Sequence, residues 1–162
     1  MKIIGVFIVG VLLLICSSFQ PSDRKEKKLK KEKEMIQLIE SGHFRFVARS
    51  AKSSLGNFNN LSTNYDLVID NLKIKAYLPY YGRAYSAPYG GGGGVKFDLT
   101  TDKVDKKWNK REKMFTIKTE VSDSQDSYSL NLTASPSGYA DLIINFRNRQ
   151  MISYYGIIEK IK

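Results

Sequence analysis

A mainly β fold is predicted for this chain: a single antiparallel up-and-down barrel of about eight strands, preceded by one helix. Two observations predict it. From His43 onward, apolar and polar residues alternate with a period of two in successive segments, which is the pattern of half-buried strands. Most connections between these segments are too short for crossover helices, so neighbouring strands are expected to be antiparallel. A two-sheet β-sandwich is the alternative architecture.

The chain begins with the features of an export signal. Lys2 precedes an apolar run over residues 3–15, and the small residues Ser17 and Ser18 follow it. This run is shorter than the roughly 20 residues that a membrane-spanning helix needs. Residues 1–18 are therefore predicted to be a cleaved signal peptide. The alternative is a lipid anchor on Cys16, although Ile15 stands where a small residue is expected.

The predicted location is the envelope of a Gram-negative bacterium, in the periplasm or associated with the outer membrane. The net charge is +10, from 26 Lys and Arg against 16 Asp and Glu, and this excess favours anionic partners. The expected partners are a small molecule, a glycan or an envelope protein, with weak attraction to an anionic membrane surface. Nucleic acid is not an expected partner of an exported protein.

Residues 19–42 are predicted to form a charged helical spacer. Asp23 followed by Glu26 imitates a capping box, and Gly42 is placed as a terminator. Residues 24–33 contain seven basic side chains and cannot bury a face, whereas residues 35–39 carry apolar side chains at helical spacing. This second half is expected to dock as a plug or lid on a β-barrel domain of residues 43–162.

The eight predicted strands, lipocalin-like in outline, each have one apolar face. They lie within residues 44–49, 65–70, 72–78, 95–99, 115–121, 128–134, 140–146 and 152–158. Six side chains on the apolar phase are predicted to share one interior: Phe46, Leu67, Ile74, Leu130, Leu142 and Ile144. The basic residues 103–113 around Trp108 are predicted to be a solvated turn, with a lipid-headgroup contact through Trp108 as the alternative.

Residues 78–94 have an unusual composition for a loop. They contain four tyrosines, two prolines, six glycines and one arginine. Aromatic faces beside a guanidinium are typical of a rim that binds an anionic or hydroxylated ligand. The candidate binding residues are Tyr80, Tyr81, Arg83, Tyr85 and Tyr89. The alternative is a structural plug, in which the tyrosines fold inward over an open end of the barrel.

The string PYYGRAYSAPYGG, residues 79–91, resembles the signature of a family of exported bacterial proteins defined as a domain of unknown function. The late segment of residues 144–156, which includes Arg147, Arg149, Tyr154 and Tyr155, is also similar to that family, so the resemblance extends over residues 44–158. It implies a mainly β, barrel-like domain behind a signal peptide, and no activity or ligand. Tyr81 stands where the family pattern has phenylalanine.

The residue pattern gives little support to catalysis. The one histidine, His43, and the one cysteine make no zinc-binding spacing, and no G-x-S-x-G sequence is present. No metal, cofactor or catalytic residue is predicted. The carboxylates of the predicted strands fall on the polar phase, at Asp66, Asp70, Asp98, Glu120 and Asp141.

The function predicted by this elimination is a non-catalytic module that binds a ligand or partner through its Tyr/Gly/Arg loop. The alternative is a structural or assembly protein of the envelope. A hydrolase that uses paired carboxylates ranks third, because any barrel can bring carboxylates together without a signal in the sequence.

Overall fold

The alternating segments form one antiparallel sheet of nine strands in a computed structural model, which describes residues 23–85, 94–124 and 126–161. The predicted signal peptide with Cys16, and the candidate binding residue Tyr89, lie outside these described residues. The elements are α1 (Asp23–Ser41), β1 (His43–Ser53), β2 (Phe58–Asp70), β3 (Lys73–Pro79), β4 (Gly94–Thr100), β5 (Val104–Asn109), β6 (Met114–Ser122), β7 (Ser127–Ala134), β8 (Tyr139–Phe146) and β9 (Ile152–Glu159).

The strand order is β4-β3-β2-β1-β9-β8-β7-β6-β5, so two meanders join where β1 pairs with β9. The sheet curls until its two outer regions meet. The rings of Phe97 in β4 and Tyr128 in β7 have centroids 4.6 Å apart, and the Thr101 hydroxyl donates to the Glu120 carbonyl of β6 at 2.8 Å. The predicted mainly β, barrel-like fold is confirmed. Among the described residues, the backbone ladder stays open between β4 and β5.

The interior of the curled sheet is apolar. All six side chains predicted to share it are 2% exposed or less, which confirms the predicted register. Gly156 lies opposite Ala48, beside an irregularity in β1. A Cβ atom on Gly156 would overlap the Val47 carbonyl oxygen and press on the Phe46 ring. Glycine is therefore required here, because only its backbone can approach β1 this closely.

β5 is the strand that the sequence did not indicate. Residues 103–113 were expected to be a turn, but Val104–Asn109 pairs with β6, and only residues 110–113 connect the two strands. Every residue of β5 is at least partly exposed, so no apolar alternation marks it. Lysines on such an outer strand also discourage pairing with other chains.

The second half of α1 docks against the sheet. The helix ends at Ser41, and Gly42 has a φ of 71° and donates its amide to the Ile39 carbonyl, which is the predicted termination. Ile39 is fully buried, Met35 lies against Gly138 in the β7–β8 turn, and the Lys106 ammonium donates to the Glu40 carbonyl at 2.7 Å.

The residues of the first half of α1 are exposed from Arg24 to Lys31. Of the described residues, no helix combines the length and apolarity required to cross a membrane.

Candidate functional site: a tyrosine strap

The predicted binding segment crosses one end of the curled sheet as a strap, defined here as residues 79–85. It leaves β3 and runs beside residues 147–150, which belong to the connection between β8 and β9. Ala84 and Arg149 form an antiparallel bridge. The Tyr85 amide donates to the Asn148 carbonyl at 2.8 Å, and the Gln150 amide donates to the Arg83 carbonyl at 3.0 Å. These bonds fix the backbone of the strap.

Tyr80 faces inward and holds the strap down. Its hydroxyl lies 3.0 Å from the Arg83 carbonyl oxygen and 2.8 Å from that of Gln150, so it bridges the two segments. Its ring packs edge-on against Phe146, with centroids 5.3 Å apart. Burial raises the pKa of Tyr80. A Cβ atom on Gly82 would overlap the Tyr80 phenol, so glycine at this position lets the strap fold over the ring.

A buried ion pair lies beneath the strap. The Arg149 Nε donates to Asp126 Oδ2 at 3.1 Å, and the two side chains are 13% and 6% exposed. The guanidinium carbon lies 4.4 Å from the Phe146 ring centroid and 5.1 Å from that of Tyr80. Arg149 also donates to the Gly94 carbonyl at 3.2 Å. One guanidinium thus links the strap, β4, β8 and the β6–β7 connection.

Asp126 accepts further hydrogen bonds through its second carboxylate oxygen. Asp126 Oδ1 accepts the backbone amides of Ser127 at 2.9 Å, Arg147 at 3.2 Å and Asn148 at 3.3 Å. With three amides and one guanidinium, this carboxylate has the partners that a buried charge requires. It positions the segment against which the strap is bonded.

Two more phenols reach the same end of the sheet. The Tyr154 hydroxyl donates to the Pro79 carbonyl at 2.7 Å, where the strap begins, and burial raises the pKa of Tyr154. The Tyr128 hydroxyl donates to Asp123 Oδ2 at 3.2 Å. Burial, reinforced by the Asp123 charge, raises the pKa of Tyr128 to about 12. The strap end is thus built from polar contacts within an aromatic cluster.

Three of the predicted binding residues point outward from the strap. Tyr81 is 42% exposed, Tyr85 is 72% exposed, and Arg83 is exposed as well. The structure therefore divides the candidate set. Tyr80 folds inward, as the structural-plug alternative predicts. Tyr81, Arg83 and Tyr85 lie where they can contact a ligand.

Two exposed apolar side chains beside the strap were not anticipated from the sequence. Leu55 and Phe58, at the β1–β2 turn, are 55% and 63% exposed. Gln150 connects this turn to the strap, because its Oε1 accepts the Ser54 hydroxyl at 3.1 Å and the Arg83 amide at 3.4 Å. The exposed apolar surface at this end therefore extends beyond the predicted loop.

His43 lies near a serine and an aspartate, yet the three do not form a catalytic arrangement. Its Nδ1 lies 2.8 Å from Asp70 Oδ1. The Ser41 hydroxyl donates to the Leu38 carbonyl and accepts the His43 backbone amide, so it does not face the imidazole. Within residues 23–85, 94–124 and 126–161, no group of three or more His, Cys, Asp and Glu side chains could hold a metal ion.

Residues 26–158 match the model of a family described as a domain of unknown function, DUF4251. The chain belongs to the DUF4251 family. The match confirms the resemblance found in the sequence, and it includes most of α1. The crystal structure of a DUF4251 family protein from Bacteroides eggerthii is similar to this chain, with 17% identity, a TM-score of 0.63, and coverage of 80% of this chain and 87% of that one. That likeness shows a shared fold. Comparison with curated proteins gives no match.

Proposed function

We propose that this DUF4251 protein is an exported, non-catalytic binding module of the bacterial cell envelope, and that Tyr81, Arg83 and Tyr85 recognise its ligand or partner. The observation that carries the proposal is the contrast between a fixed strap backbone and exposed side chains. Bonds to Asn148 and Gln150 hold the backbone, while 72% of Tyr85 is left to solvent. A surface held in one conformation before binding loses little conformational entropy when it binds.

The chemistry of the exposed residues selects the class of ligand. A guanidinium donates to carboxylate, phosphate or hydroxyl oxygens, and tyrosine rings stack on the apolar faces of sugars or side chains. Leu55 and Phe58 add exposed apolar area at the β1–β2 turn, which Gln150 connects to the strap. An anionic or hydroxylated group attached to an apolar body, such as a glycan or an envelope protein segment, meets both requirements.

The envelope location is part of the proposal and rests on the N-terminal residues. Lys2, the apolar residues 3–15 and the small residues after them have the order of an export signal. N-terminal sequencing of the protein purified from its host tests this. A mature chain that starts after Ser18, or at a lipid-modified Cys16, agrees with export, whereas an intact N-terminus contradicts it.

The binding role is tested with a variant that removes exposed side chains only. Arg83→Ala/Tyr85→Ala is expected to melt within a few degrees of the parent, because exposed side chains contribute little to stability. Native mass spectrometry then compares the molecules retained from an envelope extract. The parent is expected to carry a bound species that the double variant lacks.

The matched control is Arg49→Ala/Tyr139→Ala, which removes an exposed arginine and a 55% exposed tyrosine away from the strap. This control is expected to retain the bound species. Equal retention by all three proteins would exclude the strap as the binding surface. Early melting of Arg83→Ala/Tyr85→Ala would instead favour the structural role for these side chains.

A further inference from the structure

A second surface feature lies on the β5–β6 hairpin, away from the strap. It is an open depression of about 540 Å³, formed by β5, the turn after it and the first half of β6. β6 runs from this depression, at Thr116 and Lys118, towards Ser122 at the strap end. The two features therefore occupy different parts of the sheet and can act independently.

The depression is strongly cationic. Lys107, Lys110, Arg111 and Lys118 line it, and none of the four makes an ion pair with a carboxylate in the part of the chain that the structure describes. Asp105 is the lining carboxylate, and it already pairs with Lys103, whose ammonium lies 2.8 Å from its Oδ1. The lining thus carries four cations against one carboxylate, which Lys103 shares.

The hairpin turn that carries two of these cations is fixed. Asn109 Oδ1 accepts the backbone amides of Arg111 at 3.0 Å and Glu112 at 3.2 Å. Such a side-chain bond to the following backbone stabilises a tight turn. The positions of Lys110 and Arg111 at the mouth of the depression are therefore set by the turn.

Trp108 borders the depression, but its ring lies on the other face of the hairpin, because Trp108 pairs with Phe115 whereas Lys107 pairs with Thr116. It packs against Phe115, with ring centroids 4.6 Å apart, and remains 37% exposed. Lysines alone on an outer strand can be explained as protection against pairing with other chains. That explanation does not account for Lys118 on the neighbouring strand or for a partly exposed tryptophan on the same hairpin.

We infer that this hairpin docks on a membrane that contains anionic phospholipids. The phosphates of the headgroups lie among Lys107, Lys110, Arg111 and Lys118, and Trp108 enters the interfacial layer from the other face of the hairpin. The charge of the four cations is complementary to such a membrane, and tryptophan and lysine both favour the boundary between headgroups and hydrocarbon. The docking needs no bound ligand at the strap.

Vesicle binding tests the inference, and Trp108 reports on it, because it is the only tryptophan of the chain. The protein purified from its host is mixed with vesicles of phosphatidylcholine, with or without phosphatidylglycerol. Sedimentation and a blue shift of the Trp108 emission are expected with phosphatidylglycerol vesicles only. Binding to both vesicle types, or binding without the emission shift, would overturn the inference.

A matched pair of triple variants locates the binding surface. Lys107→Gln/Lys110→Gln/Lys118→Gln is expected to weaken vesicle binding about 100-fold, on the basis of roughly five-fold per lysine near an anionic membrane. Lys73→Gln/Lys75→Gln/Lys96→Gln removes the same charge from exposed sites on β3 and β4 and is expected to change binding little. The N-terminal residues are the same in both variants, so they cannot produce a difference. Equal weakening of vesicle binding by the two triple variants would show that the whole basic surface attracts the membrane, and it would contradict a docking site on this hairpin.

Soluble anions provide the last arm of the test. Inorganic phosphate and a soluble acidic polysaccharide are added to the protein without vesicles. Neither is expected to shift the Trp108 emission as the phosphatidylglycerol vesicles do. If either did so, the depression would be a site for soluble anions, and the membrane assignment would be wrong.

Discussion

The curled sheet is closed by different chemistry at its two ends. At one end the second half of α1 lies against the β2–β3 and β7–β8 turns and inserts Ile39, which is fully buried. At the other end the strap is bonded through Tyr80 and supported by the Arg149–Asp126 pair. Apolar packing has no preferred direction, whereas hydrogen bonds and ion pairs fix atoms in place. The strap end is therefore the better scaffold for a surface of defined shape.

Removal of the Asp126 carboxylate is expected to have the largest effect. Asp126→Ala leaves the Arg149 guanidinium buried without its carboxylate, and three backbone amides lose their acceptor. Breaking a buried ion pair typically costs about 3–5 kcal/mol, and the free energy of unfolding from urea titration is expected to fall by that amount.

The control for this variant is Asp98→Ala. The Asp98 carboxylate is 46% exposed and lies 3.6 Å from Lys73 and 4.0 Å from Lys75. Its loss is expected to cost about 1 kcal/mol or less, because exposed ion pairs contribute little. Similar decreases in the free energy of unfolding for Asp126→Ala and Asp98→Ala would show that the stability of the strap end does not depend on its ion pair.

At the helix end, truncation of the Ile39 side chain should lower the free energy of unfolding strongly. Replacement by a side chain of similar volume but different shape should lower it much less. Ile39→Ala is expected to lower the free energy of unfolding by about 2–5 kcal/mol, and Ile39→Met by less than about 1.5 kcal/mol. Leu29→Ala, at a 57% exposed position of the same helix, is the control and should change stability by about 0.5 kcal/mol at most. A large loss of stability in Ile39→Met would mean that the helix end, like the strap end, depends on the exact placement of its atoms.

Removal of one hydroxyl is expected to lower stability at the inward tyrosine of the strap and not at its outward neighbour. Tyr80→Phe leaves the Arg83 and Gln150 carbonyls without the phenol that bridges them, and it is expected to cost about 1–3 kcal/mol. Tyr81→Phe, at a 42% exposed side chain, should change stability by no more than about 0.5 kcal/mol. Amide hydrogen exchange at Tyr85 and Gln150 should accelerate in the first variant only. Unchanged exchange in Tyr80→Phe would contradict the role of this hydroxyl.

Alkaline pH should weaken the strap end. Burial raises the pKa of Tyr128 from 10.0 to about 12. Above pH 10 the unfolded chain therefore releases this proton before the folded chain does, so the stabilisation is complete below about pH 10 and is lost between pH 10 and 12. Phenolate absorbance and unfolding curves across this range test the expectation, and Tyr128→Phe should reduce the pH dependence. A pH-independent stability in this window would contradict it.

The sequence predicts the fold well, because alternation marks each strand that has one buried face. β5 was missed since both of its faces are exposed. The strap was recognised by its tyrosines, glycines and arginine. The ion pair beneath the strap was not recognised, because Asp126 and Arg149 are 23 positions apart and meet only through the register of β7 and β8. A polar turn that contains aspartates does not reveal which carboxylate becomes buried.

The pairing of β1 with β9 has a consequence for how the chain must be made. The ladder joins Arg45 to Glu159, which are 114 positions apart, and it is the seam that unites the two meanders. Contacts between such distant positions form slowly during folding. A growing chain therefore cannot complete its sheet until its last strand is released. A premature stop before β9 would leave two separate half-sheets with unpaired edges, rather than a slightly shortened protein.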